Sequence, residues 1–264
     1  MPFESFAAFY KSDAQSVILL QALPLAFLAW RAAVASPHGR AITPAASRFV
    51  AVWTLVFAFE TLVDPWATGP LVRALGLGDG LGGSALMFVF VWLGDFRVLG
   101  LMFAVAALAD AREARTVGAA LARAAGLTCL VPIVSGVLNA GLGLLVPDLP
   151  GAILWVIYEL GFLALAIYLG RRWVDAAGAD VETRAYLRAL AGYTAAYYAL
   201  WASADLVILV LDQDAGWALR VVPNQLYYGG WVVFAYARFY RGGSPGGPNA
   251  DAQAASSTST QADR

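Results

Sequence analysis

The sequence predicts an all-α, polytopic integral membrane protein with seven transmembrane helices. Hydrophobic residues make up 60% of the 264 residues and charged residues only 13%, whereas about one quarter of the residues of a soluble domain are charged. Apolar runs of about 20 residues, the length that crosses a bilayer as a helix, recur along the chain. Basic residues are concentrated in alternate connections between these runs, which is typical of multi-span proteins.

The apolar runs define a membrane domain over residues 14–241, with a separate segment at each end. In residues 1–13, the helical spacing of Phe6 and Tyr10 predicts a short helix at the membrane interface. Residues 242–264 have almost no apolar surface to bury, which predicts a disordered cytoplasmic tail. The limits of the seven predicted spans are 14–31, 49–67, 84–109, 121–146, 151–170, 187–211 and 219–240.

The distribution of basic residues predicts which side of the membrane each end of the chain occupies. Only Lys11, Arg73 and Arg220 lie on the side of the N-terminus. Because an excess of basic residues marks the cytoplasmic side, we expect the N-terminus outside the cell and the C-terminus in the cytoplasm. The expected location is the inner membrane of the cell. Thirteen basic residues lie on the opposite side: Arg31, Arg40, Arg48, Arg112, Arg115, Arg123, Arg171, Arg172, Arg184, Arg188, Arg238, Arg241 and Arg264.

Two short similar segments indicate an internal repeat. RFVAVWT (48–54) enters the second span and RALAGYT (188–194) enters the sixth, and each is followed 16 or 17 residues later by an aspartate, Asp64 or Asp205. This pattern predicts two three-helix units joined by the fourth span. Repeats of this kind occur in transporters, with the binding site at the interface between the repeats.

The stretch WLGDFRVLGL (92–101) places two charged residues, Asp95 and Arg97, near the middle of the third span. A charge at this depth costs about 2.5–3.5 kcal/mol when it faces lipid, so both side chains are expected to face the interior of the protein. Residues two apart do not share a helix face. We therefore expect Arg97 to act as a counter-ion for an acid on another helix, with Glu60, Glu159 and Asp205 as the alternatives.

The spans contain enough polar and aromatic residues to form an internal pocket in their outer halves. The acids outnumber Arg97, so the surplus carboxylates are expected to bind protons or a cation; the alternative is an ion-pair network that only locks the helices together. Carboxylates beside aromatic faces are also suited to an organic cation. The predicted proton- or cation-binding acids are Glu60, Asp64, Asp95, Glu159 and Asp205. The predicted polar contacts are Gln21, Asn139, Tyr158, Asn224 and Gln225, and the predicted aromatic lining is Trp53, Phe57, Tyr193, Tyr197 and Trp201.

The scarcity of some residue types excludes several classes of function. The only histidine, His38, lies in a predicted loop and the only cysteine is Cys129, which excludes a histidine-based metal site or a catalytic Ser-His or Cys-His pair within the spans. The only lysine is Lys11, so there is no Schiff-base lysine for retinal. No basic cluster interleaved with aromatics indicates nucleic-acid binding. We expect neither a metal nor a cofactor.

Three functions fit this pocket. The first is a small-solute carrier, with proton coupling as one option. The second is an intramembrane enzyme of the cyclase or hydratase type, in which Glu60 or Asp205 acts as general acid on a lipophilic substrate. The third is a membrane sensor or scaffold. The expected partners are the bilayer and a small or lipophilic ligand, and the oligomeric state is left open.

The layout resembles two known families. Seven helices, an outside N-terminus and a three-one-three repeat resemble the sugar-efflux (SWEET-type) carriers. Paired acids among aromatics are similar to those of the integral-membrane terpene cyclases. Neither resemblance supplies site residues. The two functions differ in how the pocket is reached: a carrier needs a pocket that opens to both faces of the membrane in turn, whereas an enzyme for lipids needs a lateral opening between helices.

Overall fold

The computed structural model of the chain describes residues 4–34, 42–78, 80–109 and 117–241. Every regular element in these ranges is helical. The loop histidine His38 and the predicted disordered tail 242–264 lie outside the described residues.

Six helices of the described chain are long and apolar enough to cross a membrane, which indicates a membrane protein. They coincide with the first six predicted spans. A short helix, α1, precedes them at Phe6–Tyr10. The six helices are α2 (Ala14–Ala33), α3 (Pro44–Ala74), α4 (Leu81–Ala109), α5 (Val117–Leu145), α6 (Ala152–Ala176) and α7 (Val181–Leu211).

The predicted seventh span is helical but differs from the other six in composition. This helix, α8, consists of Ala215–Gln225, a wide π-helical turn at Leu226–Gly230, and Trp231–Arg241. It is more polar than the six other helices and is not apolar enough to count among the candidate membrane spans. It nevertheless lies inside the bundle, because the side chain of Trp231 is fully buried. Its backbone also approaches α2 so closely that a Cβ at Gly229 would overlap an α2 side chain.

Helices α3 and α7 begin earlier than the apolar runs that predicted them, because a polar residue caps each of them. The side chain of Thr43 accepts a hydrogen bond from the backbone of Ala46, and Pro44 occupies the first turn of α3. Asp180 caps α7 in the same way, by accepting from the backbone of Thr183. Hydropathy alone does not detect these polar first turns.

Helix α4 is the central helix of the bundle, and α5 lies at its edge. Every side chain of α4 from residue 97 to residue 106 is buried. By contrast, much of α5 is exposed, including Ile133 and Val137, as expected for a surface that faces lipid. We call the end of the bundle that carries α1 and the first turns of α2, α4, α6 and α8 the α1 end.

Candidate functional site

The central position of α4 explains why WLGDFRVLGL contains two charges. Asp95 and Arg97 are 2% and 1% exposed, and each contacts a different pair of helices. Asp95 contacts α6 and α7, whereas Arg97 contacts α3 and α8. Both side chains lie in the interior of the bundle, as expected, and the hydrogen bonds of Asp95 to Tyr158 and Tyr198 lie on other helices than those of Arg97.

Arg97 connects α4 to α3 and α8. Its guanidinium donates to the Thr61 hydroxyl at 3.1 Å and to the backbone carbonyl of Tyr227. A carboxylate oxygen of Glu60 lies 3.8 Å from Nη1. The guanidinium carbon also lies 4.4 Å from the centre of the Tyr227 ring and 5.2 Å from that of Trp231. Of the three acids expected as partners, Glu60 is thus the one that pairs with Arg97.

Asp95 is held by two tyrosines rather than by a cation. The hydroxyl of Tyr158 donates to one carboxylate oxygen and the hydroxyl of Tyr198 to the other. Both tyrosines also line a cavity at the α1 end. Asp95 therefore lies directly behind the cavity wall, and it fixes the orientation of two wall residues.

The cavity has a volume of about 340 Å³, which is within the range of small-molecule sites. Helices α2, α3, α4, α6, α7 and α8 contribute to its wall, and Tyr10 of α1 contributes from the same end. Five of the predicted site residues line it: Asp64, Tyr158, Glu159, Trp201 and Asn224. Its other polar or aromatic lining residues include Tyr10, Gln15, Ser16, Thr68, Trp155, Tyr198, Arg220, Tyr227 and Tyr228.

A network of polar contacts joins α1, α7 and α8 at one side of the cavity. Arg220 lies 2.7 Å from a carboxylate oxygen of Asp205, and its Nε donates to the Tyr10 hydroxyl at 3.2 Å. The amide oxygen of Asn224 accepts from Tyr10 at 3.2 Å and from the Trp201 indole at 3.0 Å. These contacts hold α1 against the cavity.

An apolar groove adjoins the cavity between α4, α5 and α6. Its volume is about 370 Å³. The groove and the cavity share four lining residues: Met87, Val91, Trp155 and Tyr158. The rest of the groove is lined by side chains such as Phe88 and Ile133, which are 52% and 63% exposed on the bundle surface. The cavity is therefore bordered by a lateral apolar surface as well as by the α1 end.

The opposite half of the bundle is a packed hydrophobic core. Leu101, Tyr186, Leu190, Trp231 and Phe239 are among its fully buried side chains. These bulky residues come from α4, α7 and α8, the same helices that form the cavity wall further along. In this structure, the cavity is thus open toward one end of the bundle and not toward the other.

Several predicted site residues lie away from the cavity. Tyr193 and Tyr197 face α8, where the Tyr193 hydroxyl donates to the carbonyl of Leu226 at 2.9 Å. Gln21 donates to the carbonyl of Leu62 at 3.4 Å and lines a separate surface groove. Four further residues do not line the cavity: Trp53, Phe57, Asn139 and Gln225.

Two expectations from the sequence need correction. Glu60 and Asp64 were both expected among the acids of the pocket, but only Asp64 lines the cavity, since Glu60 turns toward Arg97. The five acids were also counted against one arginine. Arg220, assigned to the outer side from its position, in fact pairs with Asp205, so two arginines face the five acids.

Comparison of the chain with known protein families, with curated proteins and with solved structures finds no match.

Proposed function

We propose that the chain crosses the inner membrane seven times, with α8 as the seventh span and the α1 end outside the cell. The burial of Trp231 and the segment lengths of 11, 5 and 11 residues in α8 support this topology, because about 20 helical residues are enough to cross the hydrocarbon region. The excess of basic residues on the side opposite the N-terminus supports the orientation.

The function we propose is the binding of an amphiphilic small molecule from the outer leaflet, by an intramembrane enzyme or a sensor. The observation that carries the proposal is the pairing of a polar, aromatic cavity with an adjoining apolar groove between α4, α5 and α6. The polar part of a ligand would occupy the cavity, and its hydrocarbon part would lie in the groove and reach the lipid. A ligand of this kind needs no route through water.

If the protein is an enzyme, Glu159 is the best candidate for a general acid. Glu60 and Asp205, the acids favoured by sequence alone, contact Arg97 and Arg220 respectively. Neither of these two carboxyl groups lines the cavity, so a ligand bound there does not reach them. Glu159 lines the cavity, so it can contact a ligand there directly.

A small-solute carrier is the second candidate, and one observation favours it. One pair of residues at the same position of the two predicted repeat segments makes similar contacts with the following helix. Trp53 donates to the carbonyl of Arg97 at 2.9 Å, and Tyr193 donates to the carbonyl of Leu226 at 2.9 Å. Such symmetry is typical of transporters that alternate between two packings. Against this candidate stands the packed core of the opposite half, which a carrier would have to open.

The proposal is tested by mass spectrometry of small molecules that copurify with the detergent-solubilised protein. Gly136 lines the groove, and a Cβ added there meets no other atom within 4 Å, so Gly136→Phe places a ring at the groove with room for its first atom. Gly143→Phe is the matched control, because Gly143 on the same helix is equally open but does not line the groove. We expect an amphiphile that the wild type and Gly143→Phe retain and Gly136→Phe loses.

The same three proteins also separate the two candidates. Identical lipids in all three preparations would contradict ligand binding in the groove. A water-soluble compound that Gly136→Phe retains, followed by counterflow of that compound in proteoliposomes, would instead support the carrier.

A further inference from the structure

The polar groups of the cavity mostly accept hydrogen bonds. The hydroxyls of Tyr158 and Tyr198 each donate their only proton to Asp95, so they can only accept from a ligand. The hydroxyl of Thr68 likewise donates to the backbone carbonyl of Asp64, at 2.8 Å. A ligand that matches this wall must therefore supply hydrogen-bond donors.

The cavity wall has more acidic than basic side chains. Asp64 and Glu159 both line the cavity, while Arg220 is the single basic residue of the described chain that does so. Arg220 is already engaged, since it lies 2.7 Å from Asp205. Among the described residues, Asp64 and Glu159 form no ion pair with a basic side chain.

Two buried side chains at the cavity wall have polar atoms that can still form hydrogen bonds with a ligand. Gln15 is 0% exposed, and neither its amide nitrogen nor its amide oxygen has a hydrogen-bond partner among the described residues. Glu159 is 3% exposed, and its Oε2 also has no hydrogen-bond partner there. Because buried polar groups are nearly always hydrogen-bonded in native proteins, such groups at one cavity indicate a binding site.

Aromatic rings complete the wall. Trp155, Trp201, Tyr227 and Tyr228 line the cavity together with the two tyrosines that hold Asp95. The face of an aromatic ring attracts a cation, and the attraction is larger where water is excluded. Carboxylates, acceptor oxygens and ring faces around one space are the combination that favours a protonated amine over a neutral or anionic group.

We propose that the ligand is an amine-bearing amphiphile, with its protonated amino group among Asp64, Glu159 and the aromatic rings, and its alkyl chain in the groove between α4, α5 and α6. This inference rests on the proposed function and specifies the ligand of that site. The amino group would donate to Glu159 and to the tyrosine hydroxyls, and the chain would leave the cavity between Met87 and Trp155, which line both spaces.

The test compares three probes that share one chain and differ only in the head group. Binding of hexadecylamine, hexadecanol and hexadecyl sulfate to the full-length protein is measured by scintillation proximity in neutral maltoside micelles, with empty micelles as background. We expect hexadecylamine to bind most tightly. Gly136→Phe should reduce binding of all three probes, since they share the groove.

Charge-neutralising variants then identify the head-group site. Glu159→Gln and Asp64→Asn keep the shape of the side chain, and each should weaken hexadecylamine binding by about tenfold or more through loss of a charge-assisted contact, with little effect on hexadecanol. Asp212→Asn is the matched control. Asp212 is exposed at the same end of the bundle and has a left-handed backbone that asparagine adopts readily, so binding should not change.

The outcomes separate the two proposals. If hexadecyl sulfate binds as tightly as hexadecylamine, or if both cavity variants bind hexadecylamine like the wild type, the amine inference is wrong while the amphiphile site stands. If no probe exceeds the background of empty micelles, both proposals are wrong. Size-exclusion profiles show whether each variant is folded, and two independent carboxylate variants keep the test decisive if one is not.

Discussion

Removing Arg97 alone should destabilise the protein slightly more than removing Arg97 and Glu60 together. Nη1 of Arg97 lies 3.8 Å from Oε2 of Glu60, a separation at which two unit charges attract by about 4 kcal/mol at an effective dielectric constant near 20. Arg97→Met leaves the buried carboxylate without its cation, so we expect the free energy of unfolding to fall by about 3–5 kcal/mol. Glu60→Gln should cost only about 1–2 kcal/mol, because Arg97 keeps the Thr61 hydroxyl and the Tyr227 carbonyl.

The double variant measures the coupling between Arg97 and Glu60. Unfolding in mixed micelles of maltoside and dodecyl sulfate, followed by tryptophan fluorescence, should show Arg97→Met with Glu60→Gln to be about 2 kcal/mol more stable than the sum of the single variants implies. The exposed pair of Arg188 and Asp175 is the control, with an expected coupling below about 1 kcal/mol. Additive effects at Arg97 and Glu60 would refute the reasoning. Because neither side chain lines the cavity, the double variant should still bind ligand.

Three further changes test other contacts. A Cβ at Gly94 would overlap the Tyr227 hydroxyl, so Gly94→Ala should cost about 1–3 kcal/mol and weaken ligand binding by displacing a wall residue, measured by unfolding and by probe retention. Asp214 accepts from the first amides of α1 at 2.7 and 3.0 Å, so Asp214→Ala should speed hydrogen–deuterium exchange in α1; unchanged exchange would contradict this anchor. Asp180→Ala should cost about 1 kcal/mol through loss of the α7 cap. Slight burial raises the pKa of the Asp180 carboxyl, but hydrogen bonds from Thr183 lower it more, so that the pKa lies below the ordinary 3.8. The stabilisation by the charged Asp180 side chain is therefore present above about pH 4 and disappears as the pH falls through the folded-state pKa. Urea titrations at pH 6 and pH 3 measure this loss.

The membrane helices were predictable because their signal is local. Six apolar runs long enough for the bilayer correspond to six helices, and this follows from hydropathy without knowledge of neighbours. The position of α8 in the bundle was not predictable in the same way. Its first half contains Arg220, Asn224 and Gln225, and it packs in the bundle because other helices supply the partners for Arg220 and Asn224.

The aromatic stripe on α7 shows why the cavity lining was only partly predictable. Tyr193, Tyr197, Trp201 and Asp205 recur every fourth residue, which suggests one face. A helix with 3.6 residues per turn rotates by about 40° over each such step, so the two ends of the stripe are about 120° apart. All four residues contact α8. Only Trp201 among them lines the cavity, and Tyr198, which breaks the four-residue spacing, is the one that reaches Asp95.

The sequence limited the possible partners of Arg97 to a few acids but did not identify which of them pairs with it. Burial of Arg97 followed from the cost of a charge in lipid, which leaves only acids on other helices as partners. The choice among Glu60, Glu159 and Asp205 depends on how each helix is rotated about its own axis. That rotation is set by close contacts between helices, such as that of Gly94 with Tyr227, whose two members lie far apart in the sequence.

The two charges of WLGDFRVLGL divide the bundle into parts with different roles. Arg97 lies among α3 and α8, and everything that it contacts is protein, so its loss should be measured mainly as lost stability. Asp95 contacts only hydroxyls that line the cavity. In Asp95→Asn one tyrosine must become an acceptor from the new amide group, and its hydroxyl is then free to donate toward the ligand. A cavity built for a protonated amine loses affinity when it gains such a donor, even if the fold is intact, so Asp95→Asn should impair binding more than stability, whereas Arg97→Met should do the reverse.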